Sequence, residues 1–128
     1  MLSHNALVVV ADGHHALLFR NAAKQGLELR QDGKLTPQNL QDQSSGNRPE
    51  ETSPRDEDEL TFAKQISAHL NQLVLQHKAD QVVVIADPST LGQMRKDYHK
   101  MLEQALVKEI AKTLTNASIV DIEAAIQG

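Results

Sequence analysis

The stretch that most constrains this chain runs from Ala79 to Arg95. Val82-Val83-Val84-Ile85-Ala86 is apolar at every position, with no polar alternate. A strand built from such a run has no wet face, so it belongs at the centre of a sheet covered by helices on both sides. Asp87-Pro88 ends the run, because proline donates nothing to a sheet ladder. Ser89 or Thr90 can then cap a helix from about Thr90 to Tyr98. In covered sheets of this kind, sites gather outside the carboxyl ends of the strands, so this break is where a site is first expected.

A second run of the same kind, Ala6 to Ala11, predicts another central strand. Asp12-Gly13 is a two-residue hairpin signal, and His15 to Arg20 reads as the returning strand. The chain turns again through Asn21 to Gln25 at Gly26. Leu27-Glu28-Leu29-Arg30-Gln31 alternates like an edge strand with one wet face. The opening is therefore an antiparallel meander of three strands.

From Asp32 to about Asp56 nothing is periodic. The 33–56 stretch is rich in Gly, Pro, Ser, Asn and Gln and has no aromatic residue, the composition of a long flexible loop. A long helix follows, with Leu60, Phe62, Ala63, Ile66, Leu70, Leu73, Val74 and His77 at helical spacing on one face. Asp56, Glu57, Asp58 and Glu59 crowd its first turn, where the helix dipole favours acids. Met101 to Leu114 has two readings. Leu102, Leu106, Ile110 and Leu114 fit a helix, and Val107 to Leu114 fits a last strand. Asn116 or Ser118 can cap a terminal helix, Ile119 to Ile126, with Ile119, Ile122 and Ile126 as its apolar stripe.

Composition narrows the function classes. The 128 residues make a single domain, 1–128, whose core must be aliphatic because aromatics are only 2%. Thirteen basic against seventeen acidic residues leave a net charge of −4, which argues against a general polyanion binder and leaves room only for a local basic patch. Without cysteine there is no disulfide, thiolate metal site or Cys nucleophile. No secretory leader and no run of ~20 apolar residues stands out. The expected compartment is cytoplasmic, away from membranes.

Several motifs together resemble the bacterial host-attachment family, the "protein required for attachment to host cells". They are Leu7 to Gly13, Phe62-Ala63-Lys64-Gln65-Ile66, and Val82 to Arg95 with its Thr90-Leu91-Gly92-Gln93-Met94-Arg95 core. Leu114-Thr115-Asn116 completes the set. That family is similar to the middle domain of archaeal and eukaryotic peptide-chain release factors. The resemblance implies an α/β, ribonuclease-H-like three-layer domain with a mixed sheet in the order β-β-β-α-β-α-β-α. It also implies that Val107 to Leu114 is a strand and that the Val82 strand lies parallel beside the Leu7 strand. Release factors carry a Gly-Gly-Gln tripeptide in the loop before the long helix. Here that loop reads Ser44-Ser45-Gly46-Asn47-Arg48-Pro49-Glu50, so peptidyl-tRNA hydrolysis by that route is not implied. Where relatives have His-Pro after the Leu-Arg helix, this chain has His99-Lys100.

Three functional readings follow. The first is a non-enzymatic adaptor without cofactor, its partner the ribosome or a structured RNA. It docks through the 33–56 loop and a corner made of Ser89, Thr90, Gly92, Arg95, Lys96 and His99, where a helix start and nearby cations suit a phosphate or carboxylate. The second is a protein-interaction module acting indirectly in host attachment, with self-association through the Leu27–Gln31 edge open to it. The third is a metal-dependent nuclease using Asp12 and Asp87, which end neighbouring strands, with Glu57 or Glu59 from the long helix. The histidines do not point to a metal site. His14 and His15 face opposite sides of an extended chain, and His69 and His77 lie ~12 Å apart along a helix.

Overall fold

The computed structural model describes residues 2–37 and 55–128, with side chains of the long helix described from Thr61 onward. Two valine-rich strands, β1 (Leu7–Ala11) and β4 (Val82–Ala86), run parallel at the centre of the sheet. Leu7 stands opposite Val82 and Ala11 opposite Ala86. Every residue of both strands is buried, as their unbroken apolar sequence requires. Beyond β1 lie β2 (Ala16–Asn21) and β3 (Leu29–Leu35), each antiparallel to its neighbour, and beyond β4 lies β5 (Leu106–Ala111), parallel to it. The result is a mixed five-stranded sheet in the order β3-β2-β1-β4-β5.

Alternation along the central strands splits their side chains between two cores. Leu7, Val9, Ala11, Val82, Val84 and Ala86 face one side. There they meet Phe62, Ile66, Leu70 and Val74 of the long helix α1 (Arg55–Leu75), with Leu91 and Met94 of α2 (Pro88–Arg95) and Leu102 of α3 (Lys100–Ala105). Val8, Val10, Val83 and Ile85 face the other side, where Ile122 and Ile126 of α4 (Ile119–Gln127) cover them. Ser118 caps α4, its hydroxyl accepting from the Asp121 N–H at 3.1 Å, one of the two caps expected.

The outer strands depart from the sequence reading, and both departures have one cause. On the β2–β3 side the pairing goes from Phe19↔Gln31 to Leu18↔Gly33, leaving Asp32 as an extra residue. On the β4–β5 side it goes from Val82↔Leu106 to Val83↔Lys108, leaving Val107 extra. Each bulge reverses the alternation that follows it. Leu29 therefore joins the α4 core while Leu35, six residues on, joins the α1 core. The edge strand accordingly runs through Asp32-Gly33-Lys34-Leu35, which composition alone assigns to a loop. The remainder of the expected 33–56 loop lies outside the described residues, apart from Thr36, Pro37, and Arg55 and Asp56 in the first turn of α1.

Four further corrections are local. The β1–β2 connection has four residues, Asp12 to His15, because Ala11 pairs with Ala16. Both readings of Met101 to Leu114 hold in part, since α3 ends at Ala105 and β5 begins at Leu106. β5 stops at Ala111 rather than Leu114, where Ala117 N–H donates to the Leu114 carbonyl in a turn. α1 stops at Leu75, and His77, expected on its apolar face, is exposed at φ 61 beyond the helix end.

His77 occupies the position where a left-handed residue closes a helix, with Lys78 N–H donating to Leu73 O at 2.8 Å and His77 N–H to Val74 O at 3.0 Å. Glycine takes this conformation without the side-chain penalty of roughly 1 kcal/mol. His77→Gly should therefore raise the unfolding free energy by about 0.5–1 kcal/mol, read from the midpoint of a urea or thermal melt.

Candidate functional site

The carboxyl ends of β1 and β4 carry Asp12 and Asp87, one residue beyond the paired Ala11 and Ala86. Both carboxylates are taken up by the chain itself. Asp12 Oδ1 accepts from the His14 and His15 N–H groups at 2.7 and 2.9 Å, closing the β1–β2 turn. Its Oδ2 accepts the Thr115 hydroxyl at 2.8 Å, which fastens that turn to the segment between β5 and α4. Partial burial pushes the Asp12 carboxyl up, but these donors, with His15 nearby, outweigh it and hold it below its ordinary value.

Asp87 is the N-cap of α2. Its Oδ2 accepts from Thr90 N–H at 3.1 Å, with Pro88 in the first turn. Ser89 and Thr90, expected to cap, are instead inside the first turn, Ser89 exposed and Thr90 buried. The helix start is thus already filled by a carboxylate, while Asp87 Oδ1 is buried with no hydrogen-bond partner. Among the described residues, no three His, Cys, Asp or Glu side chains are grouped to hold a metal ion. The side chains of Glu57 and Glu59 lie outside them.

The other half of the corner is cationic. Arg95 ends α2, and Lys96, His99 and Lys100 follow, all exposed, with Asp97 the one acid among them. Arg95 reaches Glu109 Oε1 through Nε at 3.2 Å and Nη2 at 3.1 Å, and this bond raises its already high pKa. Beneath it, burial together with the Glu109 charge pushes the Tyr98 phenol well above its ordinary value, so it stays neutral. The Tyr98 hydroxyl and Glu109 Oε2 both lack a partner in hydrogen-bond geometry, although the carboxylate's charge is felt at the phenol. Gly92, midway along α2, does not have a positive φ, and a Cβ built on it would meet nothing within 4 Å.

α1 holds this corner from behind. Ser67 Oγ donates to the Met94 carbonyl at 2.9 Å, and Asn71 Nδ2 donates to the Asp97 carbonyl at 2.9 Å. His99 N–H donates to Asn71 Oδ1 at 2.8 Å, and His99 Nδ1 accepts from Met101 N–H, capping α3. Ser67 and Asn71 escape a reading based on apolar periodicity. Their trace in the sequence is a polar pair four residues apart beside the Ile66–Leu70 stripe of α1. Asn21, buried at the end of β2, escapes it too. Its amide donates to the Ser3 and Gly26 carbonyls and accepts from the Ala23 and Glu28 N–H groups.

Because its folded pKa is lowered, Asp12 contributes stability that is present above its unfolded value near 3.8 and disappears as pH falls through the lower folded value. Asp12→Asn should be less stable than the parent at neutral pH and lose less on acidification across that window, measured by urea melts at stepped pH. His69 works in a separate window. Burial lowers its pKa from 6.5, so protonation favours the unfolded chain as pH drops through that range, and His69→Gln should flatten the stability profile there.

Among curated proteins, none matches this chain. Among solved structures, the Ppx/GppA phosphatase of Aquifex aeolicus, in its type II variant, is similar at 12% identity and a TM-score of 0.41. That match covers 85% of this chain and 35% of the phosphatase, so this chain spans about a third of that protein. Residues 5–126 match the family model described as bacterial archaeo-eukaryotic release factor family 12, and the chain belongs to that family.

Proposed function

We propose that this protein is a translation-linked, non-enzymatic binding domain that docks on the ribosome or a structured RNA through the α2–α3 corner. The layout is taken as ribonuclease-H-like, and the cytoplasm is where such a partner is met. Family membership supports the translation link, and the chain has no Gly-Gly-Gln for peptidyl-tRNA hydrolysis. The observation that carries the reading is the exposed set Arg95, Lys96 and Lys100, with His99 between the lysines, on a chain of net charge −4. Cations at such a density suit phosphate contacts, which position a protein on nucleic acid without reading sequence. Ser89 and Gly92 then serve as the adjoining surface, with Thr90 buried beneath them, since Asp87 fills the helix start. Gly92 suits close approach, because the fold itself makes no demand for glycine there.

Under this reading Asp12 and Asp87 are structural, each bonded to backbone or side-chain donors. A role in attachment to a host would follow indirectly, through the same corner binding a protein. A low-salt gradient of native lysate separates these. The protein should travel with ribosomal fractions and leave them as salt rises, in the manner of phosphate contacts. Lys96→Glu with Lys100→Glu should release it at low salt while leaving the melt unchanged within about 0.5 kcal/mol. Gly92→Ala should stabilise α2 by up to roughly 1 kcal/mol and weaken docking. Absence of the parent protein from ribosomal fractions at low salt overturns the proposal.

A further inference from the structure

A cavity of about 340 Å³ opens at the amino ends of β4 and β5, on the α4 side of the sheet. It lies on the opposite face of the sheet from α2 and α3, whose Leu91, Met94 and Leu102 pack on the α1 side. Its volume falls within the range of small-molecule sites. Leu2, Leu27, Val83, Val107 and Ile126 line it with aliphatic surface, and Lys108 is the only charged residue among the described lining.

Two features make this a built site rather than a packing gap. The first is the bulge at Val107. By adding one residue it places Lys108 opposite Val83, on a face otherwise occupied by Val83, Ile85 and Ile110. Bulges re-aim side chains in this way, often beside functional sites. The Lys108 ammonium donates to the Ile126 carbonyl at 2.8 Å and to an oxygen of Gly128 at 3.4 Å, which leaves the third of its protons. The second is Asn21, which is 1% exposed and holds the opposite wall. Its amide bonds to the Leu2, Ser3 and Gly26 carbonyls tie the N-terminal segment to the β2–β3 turn, so Leu2 and Leu27 stand ready before any ligand arrives. An aliphatic cavity with fixed walls and one cation selects a small molecule with an apolar body and a single anionic end.

We infer that this cavity binds a small monocarboxylic acid, its apolar body against Val83 and Leu27 and its carboxylate on Lys108. Titration of the full ¹⁵N-labelled chain with octanoate, phenylpropionate and octanol, followed by amide shifts, tests it. Both acids should cause saturable shifts at Leu2, Leu27, Val83 and Lys108. Tighter binding of octanoate identifies chain acids as the natural class, and tighter binding of phenylpropionate identifies aromatic ones. Octanol, without the charge, should bind about tenfold more weakly, as should octanoate to Lys108→Met. Lys108→Met also frees the end of α4, so Leu27→Trp provides an independent arm that retains Lys108. It should fill the cavity, abolish octanoate binding and leave the fold's melting transition in place. Scattered or non-saturating shifts, octanol binding as tightly as octanoate, or unchanged octanoate binding to Leu27→Trp would each overturn the assignment.

Discussion

The fold depends on the parallel pairing of β1 and β4. Ten residues with no polar side chain lie side by side, Leu7 to Ala11 against Val82 to Ala86, and neither face of the pair tolerates water. Parallel neighbours cannot be joined by a tight turn, so the chain must cross over one face between them. α1 makes that crossing and buries Phe62, Ile66, Leu70 and Val74 on the way. The opposite face then needs its own cover, and α4 supplies it with Ile122 and Ile126. The rest of the architecture answers the demands of this pair.

How well the sequence could be read follows from the same point. Strands buried on both faces need only an unbroken apolar run, and both central strands are plain in the residues. The outer strands must alternate, and in each a bulge reverses the alternation partway along. After Asp32 the inward positions change face, which is why Leu35 points to a different core from Leu29. After Val107 the same reversal turns Lys108 toward the apolar α4 side. A period-of-two reading has no means of seeing a bulge, because one extra residue leaves composition unchanged. The end of α1 fails differently. Helical spacing places His77 on the apolar face, but a backbone at φ 61 closes the helix before that spacing applies.

At the candidate site, position was legible and role was not. The strand–proline–helix pattern places the start of α2, because the apolar run must end at the sheet's carboxyl edge. Which side chain caps the helix depended on Pro88. With proline in the first turn, the cap falls to the residue before it, Asp87, and Ser89 and Thr90 move inside. Asp12 shows the same economy of explanation. One oxygen closes a turn and the other bonds Thr115, a residue 103 positions away that no local pattern connects to it. Ser67, Asn71 and Asn21 are hidden for a related reason, since each bonds to backbone groups whose places are set only by the folded chain.

The electrostatics of the corner bear on how an acidic chain could meet the phosphate-rich partner proposed for it. At physiological ionic strength charges separated by more than ~8 Å are largely screened. The net charge of −4 therefore slows approach modestly but does not govern contact, which is decided by groups within a few ångströms of the interface. Of those groups, Arg95 already shares its charge with Glu109, and Asp97 offsets one more. Lys96 and Lys100 are left as the effective cations, with His99 between them committed through Nδ1 to the α3 cap. Such a patch is small, so its affinity depends on how little order must be imposed on binding. The Ser67 and Asn71 bonds from α1 have already imposed it: they hold the backbone at Met94, Asp97 and His99, on either side of Lys96 and just before Lys100. A weak cation set on a fixed frame can dock where the same residues on a mobile loop would lose the contest to entropy.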